Sequence, residues 1–268
     1  NPPMKPKTNP PPPPFTAPRR VWLDISLDTL CRNCRRIAAA VAPCRVLAVL
    51  KANAYGLGVR PIAEALAREG VAGFGVAEPR EVPELLDLGL PVQILGSVLP
   101  GEIPGLVAAG ATLPVADPES ARAISREAVR QGRTVPVHFK IDTGMGRLGL
   151  LGGGAAAVIR TVCSLPGLLP EGIYSHFPAA CTAEGEYTRA QIGAFTTLLD
   201  TLAAAGIRFE KRHIANSDAI ASFPETCREP FNLVRTGINL YGAFTSEGRR
   251  ALGLEPVLAL KTRLAAVR

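Results

Sequence analysis

No apolar run in the sequence approaches the roughly 20 residues that a membrane-crossing helix needs, so no segment reads as one. Charge of one sign is not gathered anywhere. The net charge is +7, yet Lys and Arg are spread along the chain. Zinc-finger spacing, an aromatic RNA-binding motif and a basic stripe interleaved with aromatics are all missing, so nucleic acid is not expected as a partner. A modest positive excess suits capture of phosphates and carboxylates. The six cysteines form no dense framework, which points to reduced thiols in a reducing compartment. Cys31 and Cys34 make a C-x-x-C, but no second one follows and DTLCRNCRRIAAAV reads as a helix. No metal site is expected. The start of the chain lacks the charged, then apolar, then small-residue pattern of a signal peptide, and the cytoplasm is the expected location.

What is present begins with NPPMKPKTNPPPPPFTAP, with Pro at half its positions. Such a segment neither forms a helix nor donates to a sheet, and residues 1–18 are expected to be a disordered leader. The remainder is long enough for one large domain, and 47% hydrophobic with 20% charged residues fits an α/β globule. From Trp22 onward, apolar runs of strand length alternate with amphipathic stretches that close on a glycine: Gly70, Gly89, Gly110, Gly132 and Gly206. Asp117 followed by Pro118 reads as a helix start. The strand candidates are RVLAVL, GFGVA, VQIL, TLPV, VHFKI, GIYSH, KRHIA and FNLVR. Eight strands alternating with helices predict a closed (β/α)8 barrel over residues 19–255. The competing open sheet would carry G-x-G-x-x-G after its first strand, where this chain has KANAYGLG.

In a parallel barrel the working groups stand at the strand ends. Lys51 ends the first barrel strand, and apolar surroundings there favour a neutral, nucleophilic amine able to form an imine; the alternative is a lysine reaching to solvent. In VHFKIDTGMGRLG, strand alternation puts His138, Lys140 and Asp142 on the inner face and Val137, Phe139 and Ile141 on the other. Arg147, in the glycine-rich turn DTGMGR, reads on its own as a salt-bridge partner. His176 ends GIYSH, as a packed polar residue or a site residue. In HIANS, Asn216 and Ser217 precede a helix, and a hydroxyl there serves as a cap, a phosphate ligand or both. FNLVRTGINLYG places Arg235 at the last strand end, with Gly237 and Ile238 following in a loop of the kind that often holds phosphate.

Taken together, KANAYG, DTGMGRLG, the strand-end histidine, HIANS and RTGINLYG stand in one order over most of the chain, and in this the chain resembles the pyridoxal 5'-phosphate (PLP)-binding barrel of the alanine racemases. The resemblance implies that Lys51 binds PLP as an imine and is one of two racemisation bases, and that Tyr55 and Ser217 contact the phosphate. It gives Asn216 a place in the same cofactor site, with backbone contacts to the phosphate from Gly237 and Ile238. It sets Arg147 beside the cofactor's phenolic oxygen and the substrate carboxylate, with Lys140 as a lysine carbamylated in some members. His176 would lie under the ring as an electrostatic tuner. Arg235 would face the pyridine nitrogen and, being always protonated, weaken the ring as an electron sink. The family reads T-H-F-A where this chain has Ser175, His176, Phe177 and Pro178.

Racemisation needs a second base opposite Lys51. In the family this is a tyrosine of a following β-rich domain, delivered across a homodimer interface. Tyr55, Tyr174, Tyr187 and Tyr241 do not match its context. The chain is therefore expected to be an N-terminal portion, with residues 256–268 starting the β-domain. The implied function is interconversion of L- and D-alanine for cell-wall peptidoglycan. The alternatives are a non-catalytic PLP-binding barrel and a serine racemase.

Overall fold

Apolar strands and glycine-terminated helices of this kind can bury their apolar faces by wrapping a sheet in a ring of helices, and that is the arrangement found. The computed structural model describes residues 19–181, 185–243 and 251–267; the proline-rich segment 1–18 lies outside them. The strands are β1 (Val21–Ile25), β2 (Arg45–Val49), β3 (Gly73–Val76), β4 (Val92–Ile94), β5 (Leu113–Val115), β6 (Val135–Asp142), β7 (Leu150–Leu151), β8 (Leu168–Tyr174), β9 (Lys211–His213), β10 (Leu233–Thr236) and β11 (Leu258–Thr262). The helices are α1 (Leu27–Val41), α2 (Val59–Arg68), α3 (Ile103–Ala109), α4 (Pro118–Arg130), α5 (Ala155–Cys163), α6 (Glu186–Ala204) and α7 (Ser217–Ser222).

Two parallel arcs, β10-β2-β3-β4 and β5-β6-β8-β9, contain all eight expected barrel strands. One seam between them is closed by Ile94 N donating to Thr112 O at 3.0 Å and Thr112 N to Val92 O at 2.9 Å. At the other seam Asn232 N donates to Arg212 O and Arg235 N to Ala215 O, each at 3.1 Å. The arcs therefore form one closed (β/α)8 barrel. Outside it, β1 pairs antiparallel with β11, and β7 adds to the end of β6.

Val137, Phe139 and Ile141 of β6 pack outward into the main core, whereas His138 and Lys140 are buried inside the barrel. Local signals behave as the sequence leads one to expect. Asp117 accepts from Ser120 N at 2.7 Å to cap α4, and all five helix-ending glycines have positive φ. Cys31 and Cys34 lie in α1, and all six cysteines are free thiols. Between β3 and β4 the expected helix is replaced by two 3-10 turns, Pro79–Glu81 and Leu86–Leu88. Pro83 between them has no N–H to continue a helical ladder. Among the described residues no helix is long and apolar enough to cross a membrane.

Candidate active site

A cavity of about 490 Å³ opens at the C-terminal ends of the barrel strands. Lys51, Tyr55, Lys140, Arg147, His176, Asn216, Ser217, Arg235, Gly237 and Ile238 all line it. These ten positions lie on five separate segments of the chain, and barrel closure is what brings them together.

Leu50, the residue after β2, leads into a turn in which Ala52, Asn53, Ala54 and Tyr55 all have φ between 52° and 57°. Four consecutive non-glycine residues in the left-handed region are unfavourable by roughly 1–2 kcal/mol each. Neighbours hold them there: Glu81 accepts from Ala52 N, and Asn53 Oδ1 accepts from Val59 N at 2.8 Å. Lys51 opens this turn with its Nζ 5.7 Å from the Tyr55 ring centroid. Its side chain is exposed in the cavity mouth, not enclosed by apolar groups as the strand sequence led us to expect. Burial pushes the Tyr55 hydroxyl up to about 12. A Cβ at Gly237 would stand 2.2 Å from that hydroxyl oxygen, so the close approach of the two segments requires glycine.

The turn after β6 is organised by Asp142, which accepts from Gly144 N at 2.9 Å and from Gly146 N and Arg147 N at 3.1 Å. Burial opposes ionisation of Asp142, but its backbone donors outweigh that and hold it below the usual carboxylate range. Arg147 is thereby fixed at the cavity wall. Lys140, 3% exposed, has its Nζ 4.6 Å from the Tyr174 ring centroid. Burial first, then the charges of Arg235 and Arg147, pull its ammonium down to about 6, so the amine is largely neutral at pH 7.

His176 is pushed down to about 2 by burial and by Arg235, Lys140, Arg147 and Lys51, which makes it a neutral ring. Ser175, at the departure from T-H-F-A, donates to Ile141 O at 2.9 Å and lies 2.7 Å from Thr143 Oγ1, tying this loop to the Asp142 turn. Asn216, rather than Ser217, caps α7 by accepting from Ala219 N at 3.0 Å. Ser217 Oγ instead accepts from Gly237 N and donates to Asn239 Oδ1, both at 3.0 Å. Arg235, 4% exposed, donates to Ser175 O at 2.7 Å and Ile214 O at 3.1 Å, and lies 2.9 Å from His213 Nδ1 and 3.2 Å from His176 Nδ1. Burial lowers it to about 10, still a cation.

Three residues with no assigned role in the sequence reading belong to this assembly. Glu81 holds the lysine turn. Tyr174 stacks on His213 with ring centroids 5.0 Å apart and donates its hydroxyl to Leu95 O. His213 itself contacts Arg235. The alternation of KRHIA turns His213 inward, which is the one signal that pointed to it.

Comparison with known proteins adds to this geometry. The family model "Alanine racemase, N-terminal domain" matches residues 25–245. An alanine racemase of Desulforamulus reducens is 39% identical over 254 residues, covering 92% of this chain and 68% of that protein. The solved alanine racemase of Clostridium difficile 630, in complex with cycloserine, superimposes with a TM-score of 0.87 at 30% identity over 94% of this chain and 70% of its own. A histidine racemase of Leuconostoc mesenteroides superimposes at 0.81 with 27% identity, over 94% of this chain and 68% of its own. The chain spans about two thirds of the length of such relatives. Barrel, strand-end cavity and sequence agree, and the chain belongs to the alanine racemase N-terminal domain family.

Proposed function

We propose that this chain is the PLP-binding barrel of an amino-acid racemase acting on alanine. The observation that carries the reading is the convergence of Lys51, Tyr55, Lys140, Arg147, His176, Asn216, Ser217, Arg235, Gly237 and Ile238 on one cavity.

The residues present fit the cofactor. Lys51, Arg147 and Arg235 line the cavity with Asp218 as its one carboxylate among the described residues, a balance that attracts a phosphate and a carboxylate. The cradle where Gly237 leaves space for the Tyr55 hydroxyl offers that hydroxyl as a donor to an anion, and Ser217 Oγ beside it could join by turning its proton from Asn239 Oδ1 to the anion. Lys51 Nζ lies within the same cavity. When bound, PLP supplies an electron sink for charge left at the substrate α-carbon.

The chain's own residues do the rest. Lys51 Nζ holds the cofactor and moves a proton on one face of the α-carbon. Arg147 orients the substrate carboxylate by charge-assisted hydrogen bonds. His176 stays neutral and receives a hydrogen bond from Arg235, whose fixed cation would serve the cofactor ring when PLP is bound. Lys140, as a neutral amine, can add CO2 with loss of a proton, and the resulting carbamate anion would orient Arg147. By family resemblance, a second base would come from a β-rich domain of a homodimer partner, and Tyr174 in this cavity is committed to Leu95 O. Residues 256–268 are read as the start of a β-rich domain, a reading supported by the uncovered apolar side chains of the β1–β11 ribbon, such as Leu260 at 71% exposure.

Added PLP is expected to give a visible imine band that borohydride fixes, and Lys51→Ala should abolish it; an unchanged band overturns the assignment of Lys51. Because one structural neighbour is a histidine racemase, the full-length protein should be assayed on alanine, serine and histidine. Racemisation fastest with alanine supports the reading, and binding of PLP without racemisation of any amino acid favours a non-catalytic barrel.

A further inference from the structure

The barrel interior carries a hydrogen-bonded line that starts at the end remote from the cavity. Lys211 Nζ lies 2.7 Å from Glu171 Oε1, and Glu171 Oε2 lies 2.9 Å from His138 Nε2. His138 Nδ1 is 3.1 Å from His213 Nε2, and His213 Nδ1 is 2.9 Å from the Arg235 guanidinium, which reaches His176 Nδ1 at 3.2 Å. The three histidines of the sequence are all members of this line.

Two local departures from regular structure build its far end. The pairing of β6 with β8 passes from Val137↔Pro170 to His138↔Gly172, leaving Glu171 as an extra residue. Such a bulge re-aims a side chain that strand alternation would turn outward. At the next position, a Cβ on Gly172 would lie 2.6 Å from the His138 ring, so only glycine leaves the ring its place. One irregularity aims the carboxylate and the other admits the imidazole.

The ends of the line dictate its proton positions. Arginine only donates, so His213 Nδ1 accepts and the proton of this neutral ring sits on Nε2. That proton points at His138 Nδ1, which therefore accepts, and the His138 proton sits on Nε2 and points at Glu171. An ionised carboxylate only accepts, so the order set by Arg235 and the order set by Glu171 agree without a conflict. Burial holds both histidines below their ordinary range, in keeping with neutral rings. Arg235 is in no ion pair among the described residues, and Glu171 is the carboxylate its hydrogen-bonded line leads to. Polarised bonds in a low-dielectric interior strengthen one another, and such a line can transmit that charge.

We propose that Glu171 and His138 are positioning residues for Arg235: acting through His213, they fix its orientation and its donor role from the opposite end of the barrel. The link to catalysis rests on the PLP reading above; the proton order does not.

The test is long-range ¹H–¹⁵N correlation on the protein labelled with ¹⁵N-histidine, the rings being assigned with His138→Gln and His213→Gln. Neutral His138 and His213 rings protonated at Nε2 at pH 7 are the expected result. A proton on Nδ1 of either ring, or a doubly protonated ring, overturns the proposal. Glu171→Gln should then shift the ring nitrogens of both His138 and His213, with Glu171→Asp restoring part of the change; a shift confined to His138 overturns the coupling. In the PLP-loaded full-length enzyme Glu171→Gln should lower kcat on the order of 2- to 30-fold with KM unchanged, and an unaltered kcat overturns the catalytic link. A wild type that does not racemise overturns the functional reading instead, while the proton order is judged by the spectra alone.

Discussion

The two arcs of the barrel fill the same interior by different means. Inside β10-β2-β3-β4, Leu47, Ala72 and Leu233 form a small apolar cluster joined by Leu95, and the space above Gly75 is taken by the tips of Leu95, Leu47 and Val49. Inside β5-β6-β8-β9 stand His138, Lys140, Tyr174 and His213, with Glu171 aimed at them. The first arc is mainly apolar, with the buried Gln93 amide beside Leu47, Ala72 and Leu233 as its polar exception, and dispersion tolerates small shifts. The second needs each donor to meet an acceptor, because an unpaired buried polar group is costly. Arg235, on the first arc at its seam with the second, joins the two. The lesson is that one barrel holds a forgiving half and an unforgiving half, and Arg235, the cation proposed to face the cofactor ring, is anchored in the unforgiving one.

This contrast can be broken by measurement. The largest effect is expected for His213→Leu, which removes the hydrogen-bonded bridge between a buried cation and His138: a loss of about 3 kcal/mol in urea unfolding, whereas a loss below about 1 kcal/mol would mean the polar half is as tolerant as the apolar one. Next comes Gly172→Ala, whose Cβ meets the His138 ring at 2.6 Å. It should cost about 1–3 kcal/mol by overpacking and shift the His138 resonances.

Lys140→Met sharpens the comparison through pH. The folded amine titrates at about 6 and the reference amine at 10.5. Between those values the unfolded chain binds the extra proton, so stability rises with pH by up to about 1.4 kcal/mol per unit. The penalty is full below pH 6 and vanishes above 10.5. In CO2-free buffer, Lys140→Met should remove this slope, and an unchanged slope between pH 7 and 9 would show that Lys140 is not its source. The smallest effect belongs to Gly75→Ala in the apolar arc. Its Cβ would meet only side-chain tips, the nearest being Leu95 Cδ1 at 3.0 Å, and the change is expected to stay within about 1 kcal/mol. A cost equal to that of Gly172→Ala would erase the distinction between the arcs.

Much of this was legible in the chain. The eight barrel strands were readable because each is a short apolar run bounded by turn residues, and strand-end placement pointed to Lys51, His176 and Arg235 before any contact was known. The aim of Glu171 was not readable, since it depends on an extra residue in one strand of a pair and no local pattern encodes pairing register. Nor was the turn after Lys51: Ala and Asn in KANAY carry no local preference for four successive left-handed residues, and they are held by the long-range contact of Glu81 together with the bond from Val59 N to Asn53. The 3-10 turns after β3 lay between these cases, with Pro79 and Pro83 visible but outweighed by the expectation of a helix in every crossover.

That left-handed turn has a mechanical consequence. Glycines in its place would act as a swivel beneath Lys51. Side-chain-bearing residues held in a narrow dihedral well, and pinned at Ala52 and Val59 by the carboxylate of Glu81 and the amide oxygen of Asn53, make a stiff bracket instead. The reach of the Lys51 amine is then set by its own four methylenes, and on the proposed reading the group that would form a bond, release it and carry a proton swings on a short arm from a mount that does not give.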